Sequence, residues 1–244
     1  MITAASNSRI KRLVQLNQKS KLRRTEDVFL AEGVKMFLEA PREQLQEVYV
    51  SESFLEKCSC REHLGEVGYE VVSDSVFSKI SDTCTPQGVL CVLKQFHYNI
   101  EEMLRDKAPL FLLLENIQDP GNLGTMLRTG EGAGVSGIIM SRDTVDLYNP
   151  KVIRSTMGSI YRVPFYYADD FAAAVHQVQQ AGVSVYAAHL RGKNSYACQD
   201  YTKGTAFLIG NEGNGLREET AELADCYIRI PMEGKVESLS LIHI

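Results

Sequence analysis

The sequence predicts an α/β fold, in which a mostly parallel sheet follows a small α/β domain. The second half of the chain alternates short apolar segments with amphipathic segments of about ten residues, an order typical of parallel sheets. Residues 110–114 are apolar throughout, as expected for a strand that is buried on both faces. Three apolar segments end in loops rich in Gly, Asn or Pro, and the carboxyl ends of such strands are where α/β sheets bind ligands.

Composition indicates a soluble globular protein. The chain has 244 residues, of which 44% are hydrophobic and 23% are charged, both ordinary values for this class. No apolar segment reaches the ~20 residues that a membrane helix needs, and the polar, basic N-terminus does not resemble a secretory signal. We therefore expect a cytoplasmic location.

The cysteines and histidines do not indicate a metal site. The six cysteines are scattered, none forms a CxxC pair, and the five histidines do not cluster with them. Metal sites in proteins require such clusters at short, regular spacing. No metal is therefore expected.

The charge is distributed unevenly. The net charge is −5, yet the first 24 residues contain seven basic residues and no acidic one, so the remainder carries about −12. A basic arm on an acidic body favours a polyanionic partner such as RNA. The alternative is a solvated amphipathic helix, because Ile10, Leu13 and Leu16 recur at helical spacing. The basic residues are Arg9, Lys11, Arg12, Lys19, Lys21, Arg23 and Arg24.

The first domain is predicted over residues 1–96. Its helices are expected from amphipathic spacing, and its strands from β-branched and aromatic content. Residues 97–108 are polar and are expected to form a linker. The expected elements are a basic helix at 7–20, a strand at 28–31, a helix at 34–38 and strands at 48–50, 69–72 and 88–93.

The second domain is predicted over residues 109–244. Its first strand follows Pro109, and Asn149-Pro150 marks the start of a helix, since Pro is favoured in the first helical turn. The expected strands lie at 110–114, 138–140, 163–166, 183–187, 206–209 and 226–230, and the expected helices at 123–131, 151–157, 171–180 and 218–223.

Three loops hold the candidate functional residues. Asn122 follows a Pro-Gly turn and precedes a helix, where a helix N-cap is the simplest structural role. Arg128 lies in that helix, where a surface salt bridge is the simplest role. The loop at residues 210–215 contains three glycines. No Lys-Ser/Thr follows it, which excludes a Walker loop, and its spacing and late position argue against a dinucleotide fingerprint.

Taken in order, these segments resemble the three signature motifs of the SpoU/TrmH family of RNA ribose 2′-O-methyltransferases, which belongs to the SPOUT class. The first motif is matched by residues 116–128 (NIQDPGNLGTMLR), the second by 209–216 (IGNEGNGL) and the third by 230–239 (IPMEGKVESL). Residues 149–159 resemble the segment between motifs one and two. The first domain resembles the L30-like substrate-binding domain of the family, through residues 8–11, 29–33 and 85–89.

The resemblance implies an enzyme that transfers a methyl group from S-adenosylmethionine to a ribose 2′-hydroxyl of RNA. Ribosomal RNA is the expected target; tRNA, or a non-catalytic RNA-binding role, is the alternative. The family also has a deep trefoil knot near its C-terminus, which supplies the cofactor pocket, and it forms homodimers.

Site residues are carried over from the family motif by motif. The family assigns the central role to the arginine that matches Arg128, sometimes as a general base. Because a guanidinium stays protonated, we expect Arg128 instead to hold the RNA phosphate and to stabilise the emerging oxyanion. The resemblance implies catalytic roles for Arg128, Asn122, Glu212 and Ser238, and cofactor contacts from Gly210, Asn211, Gly213, Ile230, Met232 and Leu239. The charge of the basic arm predicts RNA contacts from Arg9, Lys11, Arg12, Arg23 and Arg24, and we expect a further RNA contact from Arg154, in the segment between motifs one and two.

The last residues depart from the family pattern. Position 240 is Ser where the family has Asn followed by a long apolar helix. The final six residues match the translation of a common sequencing adapter. We therefore expect the natural sequence to differ beyond Ser238 and the C-terminal helix to be missing here. Dimerisation is accordingly expected of the full-length protein and is doubtful for this truncated chain.

Overall fold

The computed structural model describes residues 1–57 and 60–231. Its internal contacts divide the chain into two compact units. The first comprises Met1–Phe96 and Asp146–Tyr161, and the second His97–Val145 and the chain from Arg162 onward. Residues 146–161, predicted within the second domain, thus make their contacts in the first unit.

The described elements follow the predicted α/β order. The helices are α1 (Ser8–Gln18), α2 (Ser20–Glu26), α3 (Val34–Leu38), α4 (Glu52–Lys57), α5 (Arg61–Val67), α6 (Asp74–Ile80), α7 (Ile100–Met103), α8 (Pro120–Ala133), α9 (Pro150–Thr156), α10 (Phe171–Gln180) and α11 (Glu218–Ala221). The strands are β1 (Val28–Glu32), β2 (Leu45–Ser51), β3 (Glu70–Val72), β4 (Val89–Lys94), β5 (Leu110–Leu114), β6 (Gly137–Ser141), β7 (Phe165–Ala168), β8 (Ser184–Ala188), β9 (Asn194–Ser195), β10 (Thr205–Ile209) and β11 (Cys226–Arg229). None of these helices is both long and apolar enough to span a lipid bilayer.

The first unit is built on a mixed sheet with the strand order β1-β4-β2-β3. Strand β4 is antiparallel to β1 and β2, whereas β2 and β3 are parallel. Helix α1 buries Ile10, Leu13 and Leu16 in the core of this unit, the stripe that its spacing predicts. The predicted basic helix at 7–20 is confirmed as α1, which ends at Gln18 because Lys19 has an extended backbone; α2, which follows it, was not predicted.

A buried ion pair ties the segment 146–161 to the rest of the first unit. The Arg23 side chain is 3% exposed, and its guanidinium donates to Asp146 Oδ2 at 2.5 Å and to the carbonyl oxygen of Leu16 at 2.6 Å. The hydroxyl of Tyr148 accepts from the backbone N–H of Phe96 at 2.7 Å. The segment is therefore an integral part of this unit.

The second unit contains a parallel sheet with the strand order β7-β6-β5-β10-β8-β11-β9. The predicted mostly parallel sheet is thus confirmed. Helices α7, α10 and α11 contribute residues to one core, together with the alternate side chains Phe111 and Leu113 of β5 and Val185 and Ala187 of β8. The trefoil knot stays a prediction.

Residues 97–108 do not form the predicted linker. They contain α7, which Asn99 caps by accepting from the backbone N–H of Glu102 at 2.8 Å. Ile100 and Met103 are buried in the core of the second unit. The segment is polar in composition, but these two apolar residues three positions apart face the same side of a helical turn.

We predict that Asp146→Asn lowers the free energy of unfolding by about 3 kcal/mol, because it leaves the buried Arg23 cation without an anion. The value lies at the lower end for a buried pair because the Asp146 side chain is 28% exposed. Urea unfolding measures the change. Glu70→Gln, which removes the partner of exposed Arg9, is the control and should leave the unfolding midpoint unchanged. Equal effects from the two variants would contradict the prediction.

Candidate active site

Three loops meet at the carboxyl edge of the parallel sheet. Strands β6, β5 and β10 are neighbours, and Leu114 pairs with Met140 on one side and Ile209 on the other. In the sheet, β6 and β7 lie on one side of β5, and the later strands β8, β10 and β11 lie on the other side. The loops after β5 and β10 therefore lie where the strand order reverses, which is the usual ligand position in open α/β sheets.

The loop after β5 leads directly into α8. Asp119, rather than the predicted Asn122, is the N-cap: its carboxylate accepts from the backbone N–H of Asn122 at 2.8 Å. Pro120 occupies the first turn, as Pro commonly does. The helix therefore begins three residues earlier than predicted, and the side chain of Asn122 is left to make other contacts.

Glu212 joins the loop after β10 to the loop after β5. Its carboxylate accepts from the backbone N–H groups of Gln118 and Asp119, each at 3.0 Å, and from Asn122 Nδ2 at 3.2 Å. Partial burial opposes ionisation, but the backbone hydrogen bonds from Asp119 and Gln118 outweigh it and lower the pKa of Glu212. Glu212 and Asn122, both predicted site residues, therefore contact one another.

The loop at Gly210–Leu216, named here the glycine loop, is held by Asn211. The backbone of Asn211 exchanges two hydrogen bonds with the backbone of Gly215, at 3.0 and 2.9 Å. Its Oδ1 accepts from the backbone N–H groups of Gly213 and Asn214, and its Nδ2 donates to the carbonyl oxygen of Asn116 at 2.9 Å. The polar side chain of Asn211 is therefore committed to shaping the loop.

Two glycines of this loop have opposite steric surroundings. A Cβ atom on Gly210 would lie 2.2 Å from the backbone carbon of Gly215 and from the nitrogen of Leu216. A Cβ atom on Gly213 would meet only Asn211 Oδ1, at 3.7 Å. Gly210 thus lets two backbone segments touch, whereas Gly213 borders open space.

Arg128 lies exposed on α8 and makes no hydrogen bond or ion pair with residues 1–57 or 60–231. It is six residues beyond Asn122, or about 240° around the helix. The two side chains therefore leave α8 in different directions. Among the described residues, Arg128 is therefore an unpaired cation at the end of the first motif, whose start Glu212 holds in place.

The predicted RNA-binding residues of the first unit differ in how free their charges are. Arg9 is paired with Glu70 at 2.8 Å, Arg12 with Glu26 and Glu47 at 2.7 Å each, and Arg154 with Asp82 at 3.3 Å. The prediction for Arg23 is wrong, because its guanidinium is buried against Asp146. Lys11 and Arg24 are exposed and have no partner in the part of the chain that the structure describes.

The third motif is described only at its start. Ile230 and Pro231 follow β11, whose parallel alignment with β8 places them at the carboxyl edge of the sheet. The predicted cofactor contacts of Met232 and Leu239, and the predicted role of Ser238, lie outside the described residues.

Glu115 and Arg217 were missed as site residues. Glu115 directly follows β5, is 1% exposed and accepts from the backbone N–H of Arg217 at 2.8 Å and from Thr220 Oγ1 at 2.5 Å. The available signal was an acidic residue placed directly after a wholly apolar strand, where burial of a carboxylate requires partners.

Known protein families match the sequence of both units. A model described as the SpoU rRNA methylase family matches residues 109–243, and one described as an MRM3-like substrate-binding domain matches residues 7–91. The chain is 31% identical over 243 residues to a 23S rRNA (guanosine(2553)-2′-O)-methyltransferase, RlmP, of Bacillus subtilis, covering 98% of this chain and 94% of the relative.

Further similarities extend to a solved structure. The chain is 30% identical over 211 residues to a 23S rRNA (guanosine-2′-O-)-methyltransferase, RlmB, of Bordetella pertussis, covering 82% of this chain and 84% of the relative. An AdoMet-bound rRNA methyltransferase from Sinorhizobium meliloti superposes with a TM-score of 0.85 at 30% identity, covering 99% of this chain and 92% of that one.

We predict that Gly210→Ala destabilises the second unit by about 1–3 kcal/mol, because the added methyl must displace backbone. Gly213→Ala should change stability by less than about 0.5 kcal/mol, since it enters open space. Thermal and urea unfolding of both variants measure the difference. Equal stabilities for the two variants would show that the glycine loop does not have this close backbone contact in solution.

Proposed function

The chain belongs to the SpoU rRNA methylase family, and we propose that it transfers a methyl group from S-adenosylmethionine to a ribose 2′-hydroxyl of ribosomal RNA. The observation that carries the proposal is the Glu212 carboxylate, which joins the first two family motifs at the carboxyl edge of the sheet. The names of RlmP and RlmB support ribosomal RNA as the substrate.

The glycine loop suits S-adenosylmethionine. Its one charged side chain, Glu212, is bound to backbone amides of the loop after β5, so the loop offers mainly backbone groups, and the positions of Gly213 and Gly215 border open space. Backbone of Gly210 and Ile230 would hold the cofactor, which supplies an electrophilic methyl group when bound. The AdoMet-bound structure of the Sinorhizobium meliloti relative supports this assignment.

Arg128 supplies the positive charge that the reaction requires. An alcohol is a poor nucleophile at neutral pH, so the site must align the ribose hydroxyl and stabilise negative charge on its oxygen as its proton passes to solvent water. The guanidinium stays protonated and presents several donors in one plane, which suits a phosphate and the nearby ribose oxygen. Asn122, held by Glu212, orients the start of the helix that presents Arg128.

The first unit binds the RNA. Its match to a substrate-binding domain supports this role, and Lys11 and Arg24, which pair with none of the described residues, offer positive charge for phosphates. A cytoplasmic location and a homodimer belong to the same proposal, and size-exclusion chromatography with light scattering tests the second.

Methyl transfer to purified 23S ribosomal RNA tests the function. The RNA is incubated with labelled S-adenosylmethionine, digested to nucleosides and analysed by mass spectrometry. We expect label in a 2′-O-methylated nucleoside. Label in a base would overturn the ribose assignment, and label in tRNA alone would move the substrate to tRNA. Binding of RNA without cofactor binding or transfer would identify a non-catalytic RNA-binding protein.

Arg128→Lys should lower kcat by about 10- to 100-fold, since it keeps the charge but loses the planar set of donors. The dissociation constant of S-adenosylmethionine should stay unchanged. Arg105→Lys, at another exposed arginine of the second unit, is the matched control and should leave kcat unaltered. Near-normal turnover of Arg128→Lys would rule out a multi-donor role.

Replacing both Lys11 and Arg24 by Ala should weaken RNA binding and reduce its salt dependence. The slope of log K against log salt should fall by about 1.4, because each contact with single-stranded RNA contributes about 0.7. The control replaces Lys35 and Arg42, which lie on the same unit but are paired with Glu39 and Glu66. If both double variants change the slope equally, the contribution is net charge rather than local contact.

A further inference from the structure

We propose that Glu115 is the positioning residue that closes the base of the glycine loop and so sets the affinity for S-adenosylmethionine. The inference rests on the proposed function for its ligand, but the closure of the loop is observed directly. Glu115 lies in the turn after β5, outside the residues expected to touch substrate or cofactor.

Glu115 holds the chain on both sides of the glycine loop. Its backbone N–H donates to the carbonyl oxygen of Ile209, the residue before the loop, at 2.9 Å. Its side-chain Oε2 accepts from the backbone N–H of Arg217, the residue after the loop, at 2.8 Å. One residue of a neighbouring strand therefore defines where the loop begins and where it ends.

The carboxylate also contacts the start of helix α11, which begins after Arg217. Its Oε2 accepts from the backbone N–H of Arg217, and its Oε1 accepts from Thr220 Oγ1 at 2.5 Å inside the helix. A carboxylate in a residue that is 1% exposed is stable only with such partners, so the loop end and the helix start are fixed together.

A second carboxylate holds the outer side of the same connection. The guanidinium of Arg217 is paired with Asp143, in the loop after β6, and lies 3.5 Å from Glu115 Oε1. Partial burial opposes ionisation of Asp143, but its hydrogen bonds from Ser141 and Arg217 lower its pKa. Glu115 is thus the buried centre of contacts that link the ends of β5, β6 and β10.

Glu115→Gln separates positioning from simple stability. The amide keeps the size of the side chain but has one acceptor oxygen, so its NH2 group must face one of the two donors. The Thr220 hydroxyl can turn to accept from that NH2 group, but the hydrogen bonds to Arg217 N–H and to Thr220 then lose the carboxylate charge that strengthens them, and the cost falls on the loop end rather than on the reacting groups.

The experiment measures three properties of the full chain: hydrogen exchange at amides 211–217 without ligand, the dissociation constant of S-adenosylmethionine by calorimetry, and kcat at saturating cofactor. For Glu115→Gln we expect faster exchange at these amides, a dissociation constant raised about 10-fold and kcat within twofold of wild type. Thr220→Val, which removes one donor at nearly constant shape, should change exchange and affinity in the same direction by less.

Glu131→Gln is the control, since it removes a carboxylate of the second unit that is paired with Arg162 away from the glycine loop. It should leave exchange at 211–217 and cofactor affinity unchanged. Faster global unfolding of Glu115→Gln with unaltered loop exchange and affinity would reduce Glu115 to a structural role and overturn the proposal. If Glu115→Gln does not fold, Thr220→Val decides on the same readouts.

The two proposals fail separately. Wild-type protein that binds no S-adenosylmethionine, while Glu115→Gln still loosens amides 211–217, would refute the proposed function and leave the loop closure standing. Wild-type protein that binds and transfers normally, with both variants equal to it, would refute only the role of Glu115.

Discussion

Two carboxylates that point in opposite directions hold the candidate site together. Glu212 reaches from the loop after β10 to backbone amides of the loop after β5, and Glu115 reaches from the end of β5 to the amide that follows the glycine loop. The strands that carry them are adjacent in the sheet but about ninety residues apart in the chain. Because backbone N–H groups are fixed donors, each carboxylate sets loop geometry without depending on a flexible partner side chain.

This arrangement separates the rigid and the reactive parts of the site. The polar side chains of the loops form hydrogen bonds with loop backbone, as Asn211, Glu212 and Glu115 show. Backbone groups are therefore what remains to face a cofactor. Arg128 is exposed and unpaired with any described residue, and in our proposal its charge meets an RNA phosphate. A reaction limited by alignment and by charge on an alcohol oxygen needs both properties.

Sequence patterns correctly predicted elements that are apolar or amphipathic along their whole length. They missed features that depend on a single side-chain contact. The bounds of β5 and α10 agree with prediction, because a wholly apolar strand and a capped amphipathic helix are local signals. The start of α8 was misplaced because Asp119 competes with Asn122 as the cap. The paired role of Glu212 with Asn122 could not be read from sequence, since it joins residues 90 positions apart.

The basic arm shows how three-dimensional pairing changes a charge count. Seven basic residues without an acid suggest a strong cationic surface, yet Arg9 and Arg12 are paired with acids from β2, β3 and α2, and Arg23 is buried against Asp146. Paired cations must break an existing contact before they meet a phosphate, whereas Lys11 and Arg24 need not. Among the described residues, the charge of this arm that is available without breaking a contact is therefore smaller than its composition indicates, and under the proposed function fewer of its cations can meet an RNA phosphate directly.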